Sequence, residues 1–298
     1  MSRQVQGYVS LALAMLTVGS TVIASKLIAS GLPPFSATAL RFAIAFPVFL
    51  LLMRATGARL PKLSREDRLI LVIQAGAGSV GYTTLLISGL SLTSAANAGV
   101  IIGTLPVVSA AISILLLGER PQRALLLAVA LATAGVLSIA LTPDAAGGSL
   151  SGNALIFLAV VCEGLFILLN KKLKTEIAPL AQSALMTGIG FIVAAIPAIF
   201  EAPLAHGMSA GAVAAVVYYA VVPTVGGFLL WYAGAERVSG TEAALFTAVA
   251  PVSAVMLAFI ILGEPVGLHQ IAGIACVLAA VLGLAFAGSR TVKLASGR

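Results

Sequence analysis

Glu163 is a carboxylate inside an otherwise apolar run, about two helical turns before the Lys171-Lys172 pair. A charged residue at membrane depth is costly and is a functional hypothesis by default. Glu163 could bind a substrate ammonium, accept a transported proton or pair with a buried cation; otherwise it is a protonated or snorkelling side chain packed on helix backbones. Its helical neighbours Ala159, Phe166 and Asn170 form one semi-polar face. Gln74, Gly78 and Tyr82 recur at every fourth residue, and so do Tyr219, Pro223, Gly227 and Trp231. Read as helix stripes, these place an amide and aromatic rings along one path, and aromatic faces stack on other rings or attract an ammonium. Trp231 and Tyr8 also suit an interfacial aromatic belt.

Asn97 and Glu242 each follow a small polar turn, Thr93-Ser94 and Ser239-Gly240-Thr241. They read either as helix-start residues or as the two mouths of a pathway. Phe246, one turn past Glu242, is a candidate gate. Pro106 and Pro251 fall inside apolar runs, where a proline frees a carbonyl and bends the helix; they serve as hinges or as static kinks. Lys26 and Arg41 read as interfacial or snorkelling cations.

Catalysis and metal binding find no support. Cys162 and Cys276 lie in apolar stretches and read as small packing residues, both histidines fall outside those stretches, and no metal-ligand cluster or nucleophile–base pair is apparent. There is no G-x-x-x-x-G-K-[ST] run to hold a nucleotide. No catalytic residue, metal or cofactor is expected.

The elements that position these residues must be membrane helices. Hydrophobic residues make up 60% of the 298 and charged residues only 9%, with a mean hydropathy of +1.12. A soluble domain carries about 25% charged residues, so this chain lacks the polar surface to fold in water. The first apolar stretch, from Gly7 to Leu27, is too long for a signal-peptide core. Breaks at charged, proline and glycine-rich points predict ten spans of about 20 residues. They run over roughly 7–29, 35–54, 68–90, 95–117, 123–142, 152–170, 180–200, 211–233, 242–262 and 267–288.

The chain also repeats itself at an offset of 145 residues. Gly19, Lys26 and Pro34 return as Gly164, Lys171 and Pro179; Gly81, Gly89 and Pro106 return as Gly226, Gly234 and Pro251; and Leu117-Gly118-Glu119 returns as Leu262-Gly263-Glu264. Residues 1–145 and 146–290 therefore form two units of five spans, with 291–298 a polar tail. Five is odd, so homologous halves must have opposite orientations. The charges agree. With the N-terminus inside, fifteen of the seventeen Lys and Arg fall in cytoplasmic segments, leaving Lys26 and Arg41 near the outer face. Both termini are predicted cytoplasmic, and the net charge of +7 reflects topology rather than a nucleic-acid surface.

Ten spans in two inverted halves, each with a Leu-Gly-Glu turn before its last helix, resemble the drug/metabolite transporter superfamily (EamA type). The pieces that carry the resemblance are Pro106 through Leu117-Gly118-Glu119-Arg120-Pro121, and Pro251 through Leu262-Gly263-Glu264-Pro265. Within those turns, Pro121 and Pro265 suit the first position of the following helix, with Glu119 and Glu264 beside its N-terminus. The chain looks most like bacterial inner-membrane exporters of aromatic and other neutral amino acids. The resemblance implies a secondary transporter working by alternating access through a central cavity between the repeats, driven by a gradient, with a monomer sufficient.

On this reading Glu163, Tyr82, Gln74, Asn97, Phe246, Tyr219, Gly78 and Phe166 are the candidate substrate contacts, and Pro106, Pro251, Glu242 and Lys26 the candidate hinges or gates. A multidrug cation exporter or a sugar-type permease is the alternative. Anionic substrates look disfavoured, because Lys26 and Arg41 read as peripheral.

Overall fold

The computed structural model describes residues 3–117, 123–140, 149–201, 208–238, 242–243 and 246–296. The Gly118-Glu119-Arg120-Pro121 turn, Asp144, His206 and Ser239-Gly240-Thr241 lie outside them. The regular secondary structure of the described residues is all helical, with no strand. In chain order they form α1 (Arg3–Ala29), α2 (Pro34–Thr56), α3 (Arg65–Leu90), α4 (Ala95–Ile102), α5 (Leu105–Leu117) and α6 (Arg123–Ala140). The second half supplies α7 (Leu150–Lys171), α8 (Pro179–Phe200), α9 (Ala210–Ala235), α10 (Val249–Leu262) and α11 (Leu268–Ser296).

Helix starts obey the same local chemistry in both halves. Pro34 and Pro179, repeat partners, open α2 and α8, where an absent N–H costs no intrahelical bond. Ser64 and Ser209, also repeat partners, cap α3 and α9: their hydroxyl oxygens accept the amides of Asp67 at 3.0 Å and Ala212 at 3.1 Å.

Six helices (α1, α2, α3, α7, α8 and α9) are long and apolar enough to cross a membrane, and α4 with α5 makes a seventh if the pair is one broken span. That pair bends by 44°. Pro106 is the second residue of α5, after the Gly103-Thr104 turn, and Pro251 is the third residue of α10, after Thr247-Ala248. Both prolines thus start a new helix beside a break and do not kink a continuous one. Their missing N–H falls in the first turn, where no partner is due.

α3 and α9 share a rarer feature. Each contains a π-helical segment, Ala75–Gly81 and Ala220–Gly227, and the two begin 145 residues apart. In α3 the Tyr82 amide reaches back five residues to the Ala77 carbonyl. In α9 Pro223 withholds a donor, and the Thr224 hydroxyl donates to the Tyr219 carbonyl at 2.9 Å. Wider turns alter which residues share a face. Regular four-residue winding therefore does not run unchanged through either segment.

Packing exchanges partners under the repeat. α1 lies along α10 and α9, while its counterpart α7 lies along α4–α5 and α3; α2 pairs with α8, and α6 with α11. Close approach is symmetric too. A Cβ on Gly234 would stand 3.0 Å from the Gly7 carbonyl, and one on Gly89 would stand 3.0 Å from that of Gly152, the repeat-related pair.

The Leu-Gly-Glu turn is resolved in the second half. Gly263 adopts φ +66°, a left-handed conformation that ends α10. Glu264 then folds onto a different helix: its carboxylate accepts the Ala95 and Ala96 amides, each at 3.0 Å, at the start of α4. Glu264 thus sits at a helix N-terminus, as expected, but that of α4 and not of the helix after it; the expectation that Pro265 opens that following helix is corrected, since α11 begins only at Leu268. Glu201 does the same for α2, accepting the amides of Phe35 at 3.0 Å and Ser36 at 2.7 Å.

Candidate functional site

A cavity of about 480 Å³ lies between α1, α2 and α3 of the first half and α7, α8 and α9 of the second. Both π segments contribute to its wall, through Ser79 in α3 and through Pro223, Thr224 and Gly227 in α9. One end reaches Asn170, Pro179 and Gln182, where α7 ends and α8 begins.

Glu163 and Phe166 of α7 line this cavity, together with Asn170 one turn on. Arg41 lines it from α2. The expectation of a peripheral, snorkelling Arg41 is corrected: the residue is only 8% exposed, its Nη2 donates to Thr83 Oγ1 at 2.9 Å, and its guanidinium carbon sits 4.4 Å from the ring centres of both Phe42 and Tyr219. The argument against anionic substrates rested on that placement and falls with it. Arg41 Nε is buried with no hydrogen-bond partner. Arg41 and Glu163 are not in ion-pair contact; the ion pair among the described residues is Lys174 with Glu66, outside the cavity.

The charges break the repeat. Glu163 corresponds to Val18, and Arg41 to Met186, and all four line the cavity. Equivalent positions thus face one space, with an ion in one half and an apolar group in the other.

Six aromatic residues, Phe42, Phe49, Phe166, Phe228, Trp231 and Tyr232, share the wall with uncharged polar groups such as Ser79, Ser183 and Thr187. Trp231 was expected in an interfacial belt but faces the cavity. The periodic stripe through Pro223, Gly227 and Trp231 does face one space, and it is the belt argument, which rests only on position near a helix end, that fails for Trp231.

Several other candidates stand elsewhere. Gln74 is fully buried and ties α3 to α7, with Nε2 donating to the Phe166 carbonyl at 3.1 Å and to Asn170 Oδ1 at 3.4 Å. Gly78 makes room for Phe166, which its own Cβ would overlap. Tyr82 is half-buried against the largest apolar cluster and is not in the cavity wall. Tyr219 is buried behind Arg41, offering it a ring face.

Asn97 is fully buried, accepting Gln270 Nε2 at 3.1 Å, so it joins α4 to α11 and opens no mouth. Its counterpart Glu242 accepts the Tyr8 hydroxyl and, at 3.1 Å, Gln4 Nε2, while Phe246 stacks on Tyr8 with ring centres 5.5 Å apart. Tyr8 is therefore held by this cluster and is not a free belt residue. Lys26 donates to the carbonyls of Leu90 at 2.7 Å and Thr93 at 2.6 Å, fastening α1 to the end of α3.

Sequence reasoning missed Arg41 as a cavity residue, and the aromatic residues of α2 and α9. The available signal for Arg41 was the one that singled out Glu163: a charge inside an apolar run whose repeat partner is apolar.

Comparison with known proteins places these features in context. A model of the EamA-like transporter family matches the chain twice, over residues 5–141 and 150–286. An uncharacterized transporter of Bacillus subtilis (strain 168), YetK, is 36% identical over 286 residues, covering 94% of this chain and 86% of that protein. A probable terminal-alkyne amino-acid exporter of Streptantibioticus cattleyicolor is 27% identical over 258 residues, covering 84% of each. A solved crystal structure shares the fold with a TM-score of 0.62 at 21% identity, over 95% of this chain and 98% of the other.

Proposed function

The chain belongs to the EamA-like transporter family, and from that premise we propose that it exports small neutral amino acids, aromatic ones foremost, by alternating access through the cavity between its halves. It is a multi-pass membrane transporter and not an enzyme. The observation that carries the substrate reading is the cavity itself: a wall that combines six aromatic residues with one basic and one acidic side chain, Arg41 and Glu163. Its volume falls within the ~300–1,000 Å³ usual for small-molecule sites. One relative is named as an amino-acid exporter, which supports the same class.

The proposal includes ten spans in two inverted halves, with both termini in the cytoplasm of a bacterial inner membrane and a monomer as the working unit. The bias of Lys and Arg supports that orientation. In it, the Asn170–Gln182 end of the cavity, where Asn170 and Pro179 are exposed at the surface, is cytoplasmic, so this conformation would load from inside, as an exporter must. Lys26, bonded to the end of α3, lies at the opposite face. The amino acid's own gradient supplies the energy.

A cation exporter is the second reading. It is favoured by Glu163 alone and opposed by Arg41 in the same wall, since two like charges repel. Uptake of labelled phenylalanine into proteoliposomes, with and without an imposed pH gradient, tests the proposal. Saturable uptake indifferent to the gradient is expected. Uptake only with the gradient would replace facilitation by proton coupling. No uptake by folded protein, with an organic cation transported instead, would overturn the amino-acid reading.

A further inference from the structure

We propose that Arg41 and Glu163 form a two-point clamp for a zwitterion, with Arg41 taking the carboxylate and Glu163 the ammonium of an α-amino acid. This assignment rests on the amino-acid reading above and deepens it from a substrate class to named contacts.

Arg41 is a buried cation with hydrogen-bonding capacity to spare. The side chain is more than nine-tenths buried and lines the cavity. Thr83 takes one guanidinium nitrogen, the Phe42 and Tyr219 rings cover the group at 4.4 Å each, and Nε is left with no acceptor. Aromatic faces attract a cation but do not accept an in-plane N–H. A buried donor left unmade is expensive, more so on a charged group. The guanidinium fork matches a carboxylate.

Glu163 offers the complementary charge from α7, in the same cavity and out of ion-pair contact with Arg41. Had the two been paired, the site would have been neutralised internally. Not paired with each other, they leave one space whose wall carries both charges. A molecule carrying both charged groups on one carbon offers a partner to each; a simple amine leaves Arg41 unpaired, and a simple acid leaves Glu163 unpaired. Phe166, Phe228 and Trp231 in the same wall receive the remainder of the substrate. The charges occur once each because their repeat partners, Met186 and Val18, are apolar. The site therefore holds a zwitterion in one polarity.

The test is competition against labelled phenylalanine counterflow in proteoliposomes of the full chain, using phenylalanine, phenethylamine and 3-phenylpropionate. Phenylalanine is expected to compete at concentrations about 10- to 100-fold below either analogue, the range for one charge-assisted hydrogen-bonded contact. In Arg41→Gln the phenylalanine-to-phenethylamine ratio falls toward one. In Glu163→Gln the phenylalanine-to-phenylpropionate ratio does so. Ratios within one variant are indifferent to how much protein folds. Should a variant fail to fold, the wild-type series still decides. An analogue that competes as well as phenylalanine overturns the clamp and leaves the transporter reading intact. Folded protein that transports no amino acid overturns both.

Discussion

Gly263 and Glu264 are adjacent, yet they serve different helices. Gly263 turns the chain out of α10 in a left-handed conformation, and this delivers the Glu264 carboxylate to two bare amides at the start of α4. Glu264→Ala should lower stability by about 1 kcal/mol, as for loss of an N-terminal cap, and Gly263→Ala by roughly 1–2 kcal/mol, from the cost of a left-handed non-glycine residue. Thermal unfolding of the purified protein in detergent reads both; an unchanged midpoint for Glu264→Ala would mean that water replaces the cap. The Leu-Gly-Glu motif was visible in the sequence. Its partner was not, because the contact joins residues 169 apart. Glu163 was legible for the same reason that Arg41 should have been: each is an ion in an apolar run. What separated them was direction. Nothing along α2 says whether Arg41 points to lipid interface or cavity, and the ring of Tyr219 that covers it comes from the other half of the chain.

At the scale of elements, helix existence followed from hydropathy, capping serines and opening prolines, all local signals. The winding of α3 and α9 did not. A π segment has no fixed composition: Ala75–Gly81 contains three glycines, whereas Ala220–Gly227 is built around Pro223. Extrapolating at 3.6 residues per turn put Gln74 and Tyr82 in the pathway, where they are not, whereas in α9 the same periodicity did group Pro223, Gly227 and Trp231, which line the cavity together. Removing one residue, by deletion of Gly76, should return α3 to regular winding and displace Ser79 from the cavity wall, abolishing transport while the protein remains in the membrane; wild-type transport by the deletion would show the π turn to be incidental. Helix contacts give a sharper contrast. Gly76→Ala should be silent, because nothing lies within 4 Å of its added methyl. Gly89→Leu should destabilise by about 1–3 kcal/mol or prevent folding, since α3 and α7 touch there through backbone. Expression level and monodispersity of the two variants separate them.

At the scale of the whole molecule, the 145-residue repeat was fully legible, and the exchange of packing partners between halves is its physical consequence. The orientation we propose rests on the distribution of Lys and Arg. Reporters fused after Lys62 and Arg237 should report cytoplasmic, and those after Thr142 and Leu204 external; the reverse pattern in either half would contradict inverted repeats. The central claim is that an amino acid passes through the cavity walled by Arg41 and Glu163. The most direct test places a single cysteine at Gln182, on the cavity's open end, in a chain with Cys162 and Cys276 replaced by alanine, and follows its labelling by a membrane-impermeant maleimide in inside-out vesicles. Phenylalanine should slow the labelling saturably, over the same concentration range that supports transport. Labelling at one rate, with or without a transported amino acid, would contradict the account.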